Sequence, residues 1–335
     1  MYELSICIPA YNREKYLRTA LDSIIGQLDA DTKERVEICV SDNASEDNTK
    51  ELIESYMQKH RQITYFRWDK NMGADNNYLK VVEIAGGKYC WFLGSDDILM
   101  PGSINRMLRE IELGGGIDIF CVNSLTHDIN LKNPSTAKHS MRKKNGDIIF
   151  NDYRECIKKM GELFGYISIF IFKKEKWDKF AAEKKYIGSA YSHVYIFYSI
   201  LKDKGILKYI IKPLIGYRGG NDSFLLEGSL KRITIDIKGY NEIASDVFGK
   251  NSSEVKNLDK IVLKQNVFGW IMVTILTGNA SLKYRFKVLA LTFEYYRGYA
   301  SYWLRVFPLL IMPTFVMKSA RFFYRLTIKR FRKNI

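Results

Sequence analysis

Leu4-Ser5-Ile6-Cys7-Ile8-Pro9-Ala10-Tyr11-Asn12-Arg13 begins as a short apolar run and turns polar at once. Such a run, bounded by proline and asparagine, reads as a buried strand over Leu4–Ile8 that ends in a loop. From about Lys15 the spacing changes. Tyr16, Leu17, Ala20, Leu21, Ile24 and Ile25 recur at helical intervals, which gives a helix one face to bury against that strand.

The same unit then repeats. A strand over Val36–Val40 precedes a helix over Asn48–Lys59, whose apolar side is Leu52, Ile53 and Tyr56. A third strand, Ile63–Trp68, leads through the Asn71–Gly73 turn to a helix near Asn76–Ala85. Tyr89–Leu93 is the fourth strand, Pro101 suits the first turn of the next helix, and Ile117–Val122 is the fifth strand. Strands alternating with helices predict an α/β fold with a mainly parallel sheet and flanking helices. Ligands of such sheets bind outside the carboxyl ends of the strands. Four polar segments should therefore meet at one rim: Pro9–Arg13, Ser41–Asp47, Asp69–Asp75 and Gly94–Asp97.

The middle third is less regular. Residues 130–147 are polar and basic and suggest a mobile loop; Tyr166–Phe172 reads as a buried strand and Ser192–Leu201 as a helix. Ile206–Leu214 reads as another strand, leading to Arg218-Gly219-Gly220-Asn221-Asp222. Beyond about Glu227 the pattern is helical. The expected division is a catalytic domain over residues 1–226 and a helical, basic region over 227–335.

Charge is unevenly spread. The net charge is +15 over 335 residues, yet residues 1–110 hold 14 Lys/Arg against 18 Asp/Glu. Lys283 to Lys333 holds 12 basic residues and one acidic residue, Glu294. A basic end on a near-neutral front half suggests a local anionic partner such as a phospholipid surface. It argues against a uniformly basic nucleic-acid binder. Cys7, Cys39, Cys90, Cys121 and Cys156 lack metal-ligand spacing and fit core packing in a reducing compartment. No secretory signal is expected, and no uncharged stretch reaches the ~18 residues of a spanning helix.

Asp96 and Asp97 carry the sharpest chemical signal. Adjacent carboxylates at a strand end repel each other unless a cation or hydrogen bonds compensate. Mg²⁺ or Mn²⁺ bridging two phosphates would do so; the alternative is a solvated turn with Asp96 capping a helix. Asp42, at the end of the second strand, either caps an Asx-turn or accepts a hydrogen bond from a nucleobase.

Taken together, Ile8-Pro9-Ala10-Tyr11-Asn12-Arg13, Val40-Ser41-Asp42-Asn43-Ala44-Ser45, Asn71-Met72-Gly73 and Gly94-Ser95-Asp96-Asp97 resemble the family 2 glycosyltransferases of the GT-A fold, a Rossmann-like architecture. The resemblance implies a nucleotide-sugar donor, with Pro9, Tyr11, Arg13 and Asp42 lining the nucleoside pocket and Asn71 beside it. Asp96 would touch ribose or metal-bound water, and Asp97 would ligate a divalent ion, Mn²⁺ or Mg²⁺. A narrower similarity, carried by Tyr89-Cys90-Trp91, Lys174-Glu175-Lys176-Trp177, Tyr186-Ile187-Gly188-Ser189, His193-Val194 and Arg218 to Phe224, is to the abequosyltransferases of bacterial O-antigen assembly. Those enzymes move a dideoxyhexose from a CDP-sugar to a polyprenyl-diphosphate-linked oligosaccharide.

Inverting members place an Asp or Glu near position 193 as the base for the acceptor hydroxyl; here Tyr191-Ser192-His193-Val194 stands instead. His193 is a candidate base or a hydrogen-bonded structural residue, and Asp222 is the competing candidate. Arg218 suits an anionic diphosphate or a surface ion pair. From Tyr299 to Ile335, Phe322, Phe323, Leu326, Ile328 and Phe331 interleave with Lys318, Arg321, Arg325, Lys329 and Arg332. Such a helix can lie in an anionic membrane surface at ~1 kcal/mol per cation, or pack on the catalytic domain. The resemblance favours a peripheral position on the cytoplasmic face of the bacterial inner membrane. A nucleic-acid binder leaves the Asp pair unexplained. A sugar-nucleotide nucleotidyltransferase would need a glycine-rich loop where Pro9–Arg13 stands.

Overall fold

The computed structural model describes residues 2–135, 146–221, 228–317 and 319. The chain divides into two compact units: Met1–Asp222 with Asp246–Gly249, and Ser223–Ser245 with Lys250–Ile335.

In the first unit β1 (Leu4–Ala10), α1 (Glu14–Ile25), α2 (Thr32–Arg35), β2 (Val36–Asp42), α3 (Thr49–Met57), β3 (Ile63–Arg67), α4 (Ala74–Glu83) and β4 (Tyr89–Phe92) follow in turn. Next come β5 (Ile98–Leu99), α5 (Ser103–Leu113), β6 (Ile119–His127), β7 (Ile148–Phe150) and α6 (Tyr153–Met160). β8 (Phe170–Lys173), α7 (Lys174–Ala181), α8 (Ser192–Lys202) and β9 (Leu207–Arg218) complete it. Among the described residues the strand order is β3-β2-β1-β4-β8-β6-β9-β5, with β7 on β9.

β1 is parallel to β2 and β4, and β3 is parallel to β2. The chain leaves β1 toward β2 and later returns to the other side of β1 at β4. That reversal is a topological switch point, where α/β sheets bind ligands. Register brings the strand ends level: Ala10 pairs with Asp42, Asp42 with Arg67, and Cys7 with Phe92.

Burial explains why these residues form these elements. Leu4, Ile6, Cys7 and Ile8 of β1 are all buried, as a central parallel strand covered on both faces requires. Leu17, Ala20, Leu21 and Ile24 form the buried stripe of α1; full burial of one such Leu or Ile contributes about 1.5–3 kcal/mol. All five cysteines are free and buried. Desolvation pushes the Cys7 and Cys121 thiols well above the ordinary range, so they are inert packing groups.

Several elements depart from the sequence expectation. Pro101 lies in a turn, and α5 starts only after Gly102, whose φ of +78° is left-handed. Tyr166–Phe172 is not one strand: Ile167–Ile169 is a 3-10 turn and β8 begins at Phe170. β8 also runs antiparallel, wedged between β4 and β6. β9 continues past Leu214 to Arg218 and pairs in parallel with β6, with a register shift at Asn123 opposite Pro213. Proline lacks a ladder donor and is tolerated there because the strand bulges. Asn123 Nδ2 donates to the Ile211 carbonyl at 3.0 Å beside the bulge.

The second unit is helical. It holds α9 (Ser229–Phe248, its last residues from Asp246 belonging to the first unit), α10 (Ser253–Val262), α11 (Phe268–Leu276), α12 (Leu282–Tyr296) and α13 (Phe307–Ile311). Ser252 and Ser281 cap α10 and α12, accepting from the Val255 and Tyr284 amides, the preferred N-terminal arrangement. The buried Arg285 donates to the carbonyls of Leu310 and Met312 at 3.1 and 2.7 Å, which satisfies the end of α13. Among the described residues no helix is long and apolar enough to cross a membrane. Lys318, Arg321, Phe322, Phe323, Arg325, Leu326, Ile328, Lys329, Phe331 and Arg332 of the expected membrane helix lie outside the described residues.

Candidate active site

The loops after β1 and β2 are tied together by backbone groups. The Asn43 amide donates to the Ala10 carbonyl at 2.9 Å. The Asn12 amide donates to Ser45 Oγ at 2.9 Å, the Glu46 amide to Asn12 Oδ1 at 2.8 Å, and the Arg13 amide to Thr49 Oγ1 at 3.1 Å. Asn12 and Ala44 sit at φ of +52° and +60°. A side chain in that region costs on the order of 1–2 kcal/mol, and the cross-loop bonds hold both residues there.

Asp42 is fully buried at the hinge of these loops. Its Oδ1 accepts from the Ser45 amide at 2.9 Å and the Ser45 hydroxyl at 2.5 Å; Oδ2 accepts from the Tyr65 hydroxyl at 2.9 Å and lies 3.4 Å from Arg67 Nε. A carboxylate offers about four acceptor positions, and all are taken. In this arrangement Asp42 braces the loop, and a nucleobase reaches it only by displacing Tyr65 or Arg67.

Asn71 is likewise bound into the frame. Its Oδ1 accepts from Asn43 Nδ2 at 2.8 Å and from the Gly73 amide at 2.9 Å, while Asn43 Oδ1 accepts from the Met72 amide at 2.8 Å. Tyr11 is exposed at 39%. Pro9 pairs in register with Ser41. Arg13 is half-buried, and its guanidinium has no ion-pair partner among the described residues.

Asp96 and Asp97 follow β4 on the other side of β1. Asp97 is buried: Oδ2 accepts from the hydroxyls of Tyr166 at 2.7 Å and Ser168 at 2.6 Å, and Oδ1 from the Arg218 amide at 3.0 Å. Asp96 is partly exposed, and its Oδ2 accepts from Asn221 Nδ2 at 2.6 Å. A Cβ on Gly94 would stand 3.1 Å from Asp97 Oδ2 and from Ser168 Oγ, and 3.3 Å from Asp96 Oδ1. Both carboxylates thus converge on a space that glycine leaves open. Desolvation, then the charge of Asp96, raises the Asp97 carboxyl to about 7, against the lowering effect of its three donors.

Arg218 closes the site at the end of β9. Its Nε donates to the Asp96 carbonyl and Nη1 to the Ile129 carbonyl, each at 2.7 Å, and the guanidinium lies 4.8 Å from the Tyr16 ring centre. The surface-ion-pair alternative is corrected: Arg218 is buried and bonded to backbone carbonyls. Its charge is nonetheless uncompensated by a carboxylate among the described residues.

Glycosyl transferase family 2 matches residues 5–179, which takes in all four rim loops. The chain belongs to glycosyl transferase family 2. It is similar to the abequosyltransferase RfbV of Salmonella typhimurium, at 35% identity over 281 residues, 81% of this chain and 83% of that protein. It is also similar to the GalNAc(5)-diNAcBac-PP-undecaprenol beta-1,3-glucosyltransferase of Campylobacter jejuni, at 26% identity over 73% of this chain and 74% of that one. Among solved structures, S. aureus TarS 1-349 in complex with UDP-GlcNAc shares the fold, with a TM-score of 0.58 and 14% identity over 87% of this chain and 85% of that chain.

Enzymes of family 2 generally use a divalent metal. The donor set in this glycosyltransferase fits one. Among the described residues Asp96 Oδ1 carries no hydrogen bond and Asp97 Oδ1 carries one, so hard oxygen acceptors remain open beside the Gly94 gap. Among the described residues no group of three or more His, Cys, Asp or Glu could hold an ion. Among the described residues Asp96 and Asp97 are the carboxylates that would hold an ion beside this gap, with donor phosphate and water as further oxygen ligands.

His193 is a correction. It lies in the first turn of α8, 1% exposed, edge-on to Tyr78 and Tyr191 at 5.3 and 5.8 Å between ring centres. Neither ring nitrogen makes a well-formed hydrogen bond. Desolvation lowers its pKa to about 4, against the raising effect of Asp75 and the Phe164 backbone. Such a ring is neutral and walled off from an acceptor hydroxyl. Asp222 lies outside the described residues.

Sequence reasoning missed Ser168, Tyr166 and Asp75. The first two hold Asp97. Asp75 accepts from the amides of Gly188 and Ala190 at 2.8 Å and Ser192 at 2.9 Å, so it fixes the entry to α8. A short Asp after Asn71-Met72-Gly73 was the only available signal.

Proposed function

We propose that this glycosyltransferase moves a sugar from a nucleotide-sugar donor to a polyprenyl-diphosphate-linked oligosaccharide in bacterial surface-polysaccharide assembly. A CDP-linked dideoxyhexose such as abequose is the favoured donor. The observation that carries the reading is the Asp96–Asp97 pair at the switch point between β1 and β4, with Asp97 locked by three donors and Asp96 left open. The name of the Salmonella relative supports the sugar, and that of the Campylobacter relative supports the lipid diphosphate. A different nucleotide-sugar is the second reading, supported by the UDP-GlcNAc bound to TarS.

The nucleoside would lie over Pro9, Tyr11 and Arg13, with Asp42 and Asn71 bracing the pocket wall. Asp96 and Asp97 would hold Mn²⁺ or Mg²⁺ against the donor diphosphate, where the ion offsets charge on the departing nucleoside diphosphate. Arg218 adds fixed positive charge behind that group. Asp222 is assigned the base that takes the acceptor proton, since Asn221, immediately before it, bonds to Asp96. Residues 1–226 form the catalytic domain. Residues 227–335 form a region that meets an anionic membrane, not nucleic acid, on the cytoplasmic face of the inner membrane.

A thermal-shift screen of CDP-, UDP-, GDP- and dTDP-sugars with Mn²⁺ tests the donor. The expected result is stabilisation by a CDP-sugar, lost in Asp97→Asn. Transfer assays of Asp222→Asn and His193→Gln test the base, with activity lost only in the first.

A further inference from the structure

Wholly within the second unit, a cavity of about 910 Å³ lies between α10 and the stretch from the end of α12 to the π-helical turn Tyr302–Val306. Lys256, Lys260 and Lys264 line it from successive turns of one helix, and Arg297 and Arg305 line it too. Glu294 is the one carboxylate on its wall among the described residues. None of the five cations is ion-paired among the described residues. Nearby acids are committed elsewhere: Asp259 accepts from Asn241 at 2.9 Å and from the Tyr299 hydroxyl at 2.7 Å. Unneutralised charge of one sign in a concave site concentrates an anion there.

The surroundings say what kind of anion. Phe293, beside Glu294, is 40% exposed, and Trp303 and Leu304, beside Arg305, are 43% and 79% exposed. Leu282, Phe286, Ile311 and Phe315 of the same unit are exposed as well. So many exposed large apolar side chains in one unit mark a contact with something apolar. Residues 320–335 carry cations and no Asp or Glu, so their side chains offer the cavity no counter-charge. A ligand matching both features has an anionic head and an apolar tail.

We propose that this cavity binds the phosphate or diphosphate headgroup of a membrane lipid, whose chain leaves over Phe293, Trp303 and Leu304. The headgroup site stands on the cavity alone; that the lipid is the glycosyl acceptor rests on the function proposed above.

The test measures co-sedimentation of the full chain with phosphatidylcholine vesicles, plain or containing phosphatidylglycerol or a polyprenyl diphosphate. The wild type should bind both anionic preparations far better than plain vesicles. Lys256→Gln/Lys260→Gln/Lys264→Gln should weaken that binding about a hundredfold, given the usual contribution per surface cation. Lys33→Gln/Lys59→Gln/Lys204→Gln removes equal charge from exposed positions of the first unit and should change it by less than about fivefold. Preference for the diphosphate assigns the site to the acceptor-type lipid, and equal binding assigns it to bulk phospholipid; both support a headgroup site. Full binding by the cavity triple variant, or equal binding of the wild type to plain vesicles, overturns it. Should the triple variant unfold by circular dichroism, Arg297→Gln/Arg305→Gln takes its place, with an expected loss of about thirtyfold for two cations. Nucleotide-sugar thermal shifts are read on every variant: their loss in the wild type refutes the transferase reading without touching this one.

Discussion

Arg218 grips both members of the acidic pair, donating its amide to Asp97 Oδ1 at 3.0 Å and its Nε to the Asp96 carbonyl at 2.7 Å. One residue at the end of β9 therefore ties the Asp97 carboxylate to the Asp96 backbone, while Asn221 bonds the Asp96 carboxylate. The Arg218 guanidinium adds a buried positive charge beside them.

Arg218→Lys tests that role. A lysine keeps the charge but not the fork that reaches two carbonyls. Leaving the Ile129 or Asp96 carbonyl unmet costs about 1–3 kcal/mol, read as a lower Tm. Sugar transfer should fall at least tenfold, and full activity would remove Arg218 from the account.

Asp97→Asn should separate stability from activity. The raised carboxyl, near 7, holds its proton longer in the folded protein than in the unfolded chain. Between about pH 4 and pH 7 the unfolded state binds fewer protons, so wild-type stability falls as pH rises, by at most ~1.4 kcal/mol per pH unit. An asparagine avoids this, because the Tyr166 and Ser168 hydroxyls can rotate from donors to acceptors. Melting curves from pH 5 to 8 should show a steeper loss for the wild type, while the variant transfers no sugar.

The depressed His193 has the opposite sign. With a folded pKa near 4, it contributes stability that is present above the unfolded value of about 6.5 and is lost as pH falls toward 4. His193→Gln should flatten this acid limb in a melting series. Its kcat should stay within about threefold of wild type, against the 10²–10⁴-fold that loss of a general base costs.

Gly94→Ala would place a methyl group 3.1–3.3 Å from three oxygens of the site. Overpacking of this kind costs about 1–3 kcal/mol, but the larger effect should be on chemistry. A drop of tenfold or more in transfer, with a modest change in Tm, is expected from paired activity and melting assays.

The rim was legible because it is local. Periodicity placed β1 to β4 and the helices α1, α3 and α4 within a few residues, and a parallel sheet delivers its loops to one edge. The clamp on Asp97 was not legible, because Ser168 and Arg218 lie 71 and 121 positions away and reach it only once β8 and β9 are placed. A strand reading of Tyr166–Phe172 missed the 3-10 turn that aims Ser168 at Asp97. For His193, residue type allows a base or a structural role, and only the tertiary neighbours Tyr78 and Tyr191 show that its ring is buried.

The most direct test is calorimetric titration of CDP and UDP into the wild type and Asp96→Asn/Asp97→Asn, each with and without Mn²⁺. The account predicts that Mn²⁺ strengthens binding of one nucleotide at least tenfold in the wild type and has no effect in the double variant. Equal dependence on Mn²⁺ in both proteins would contradict it.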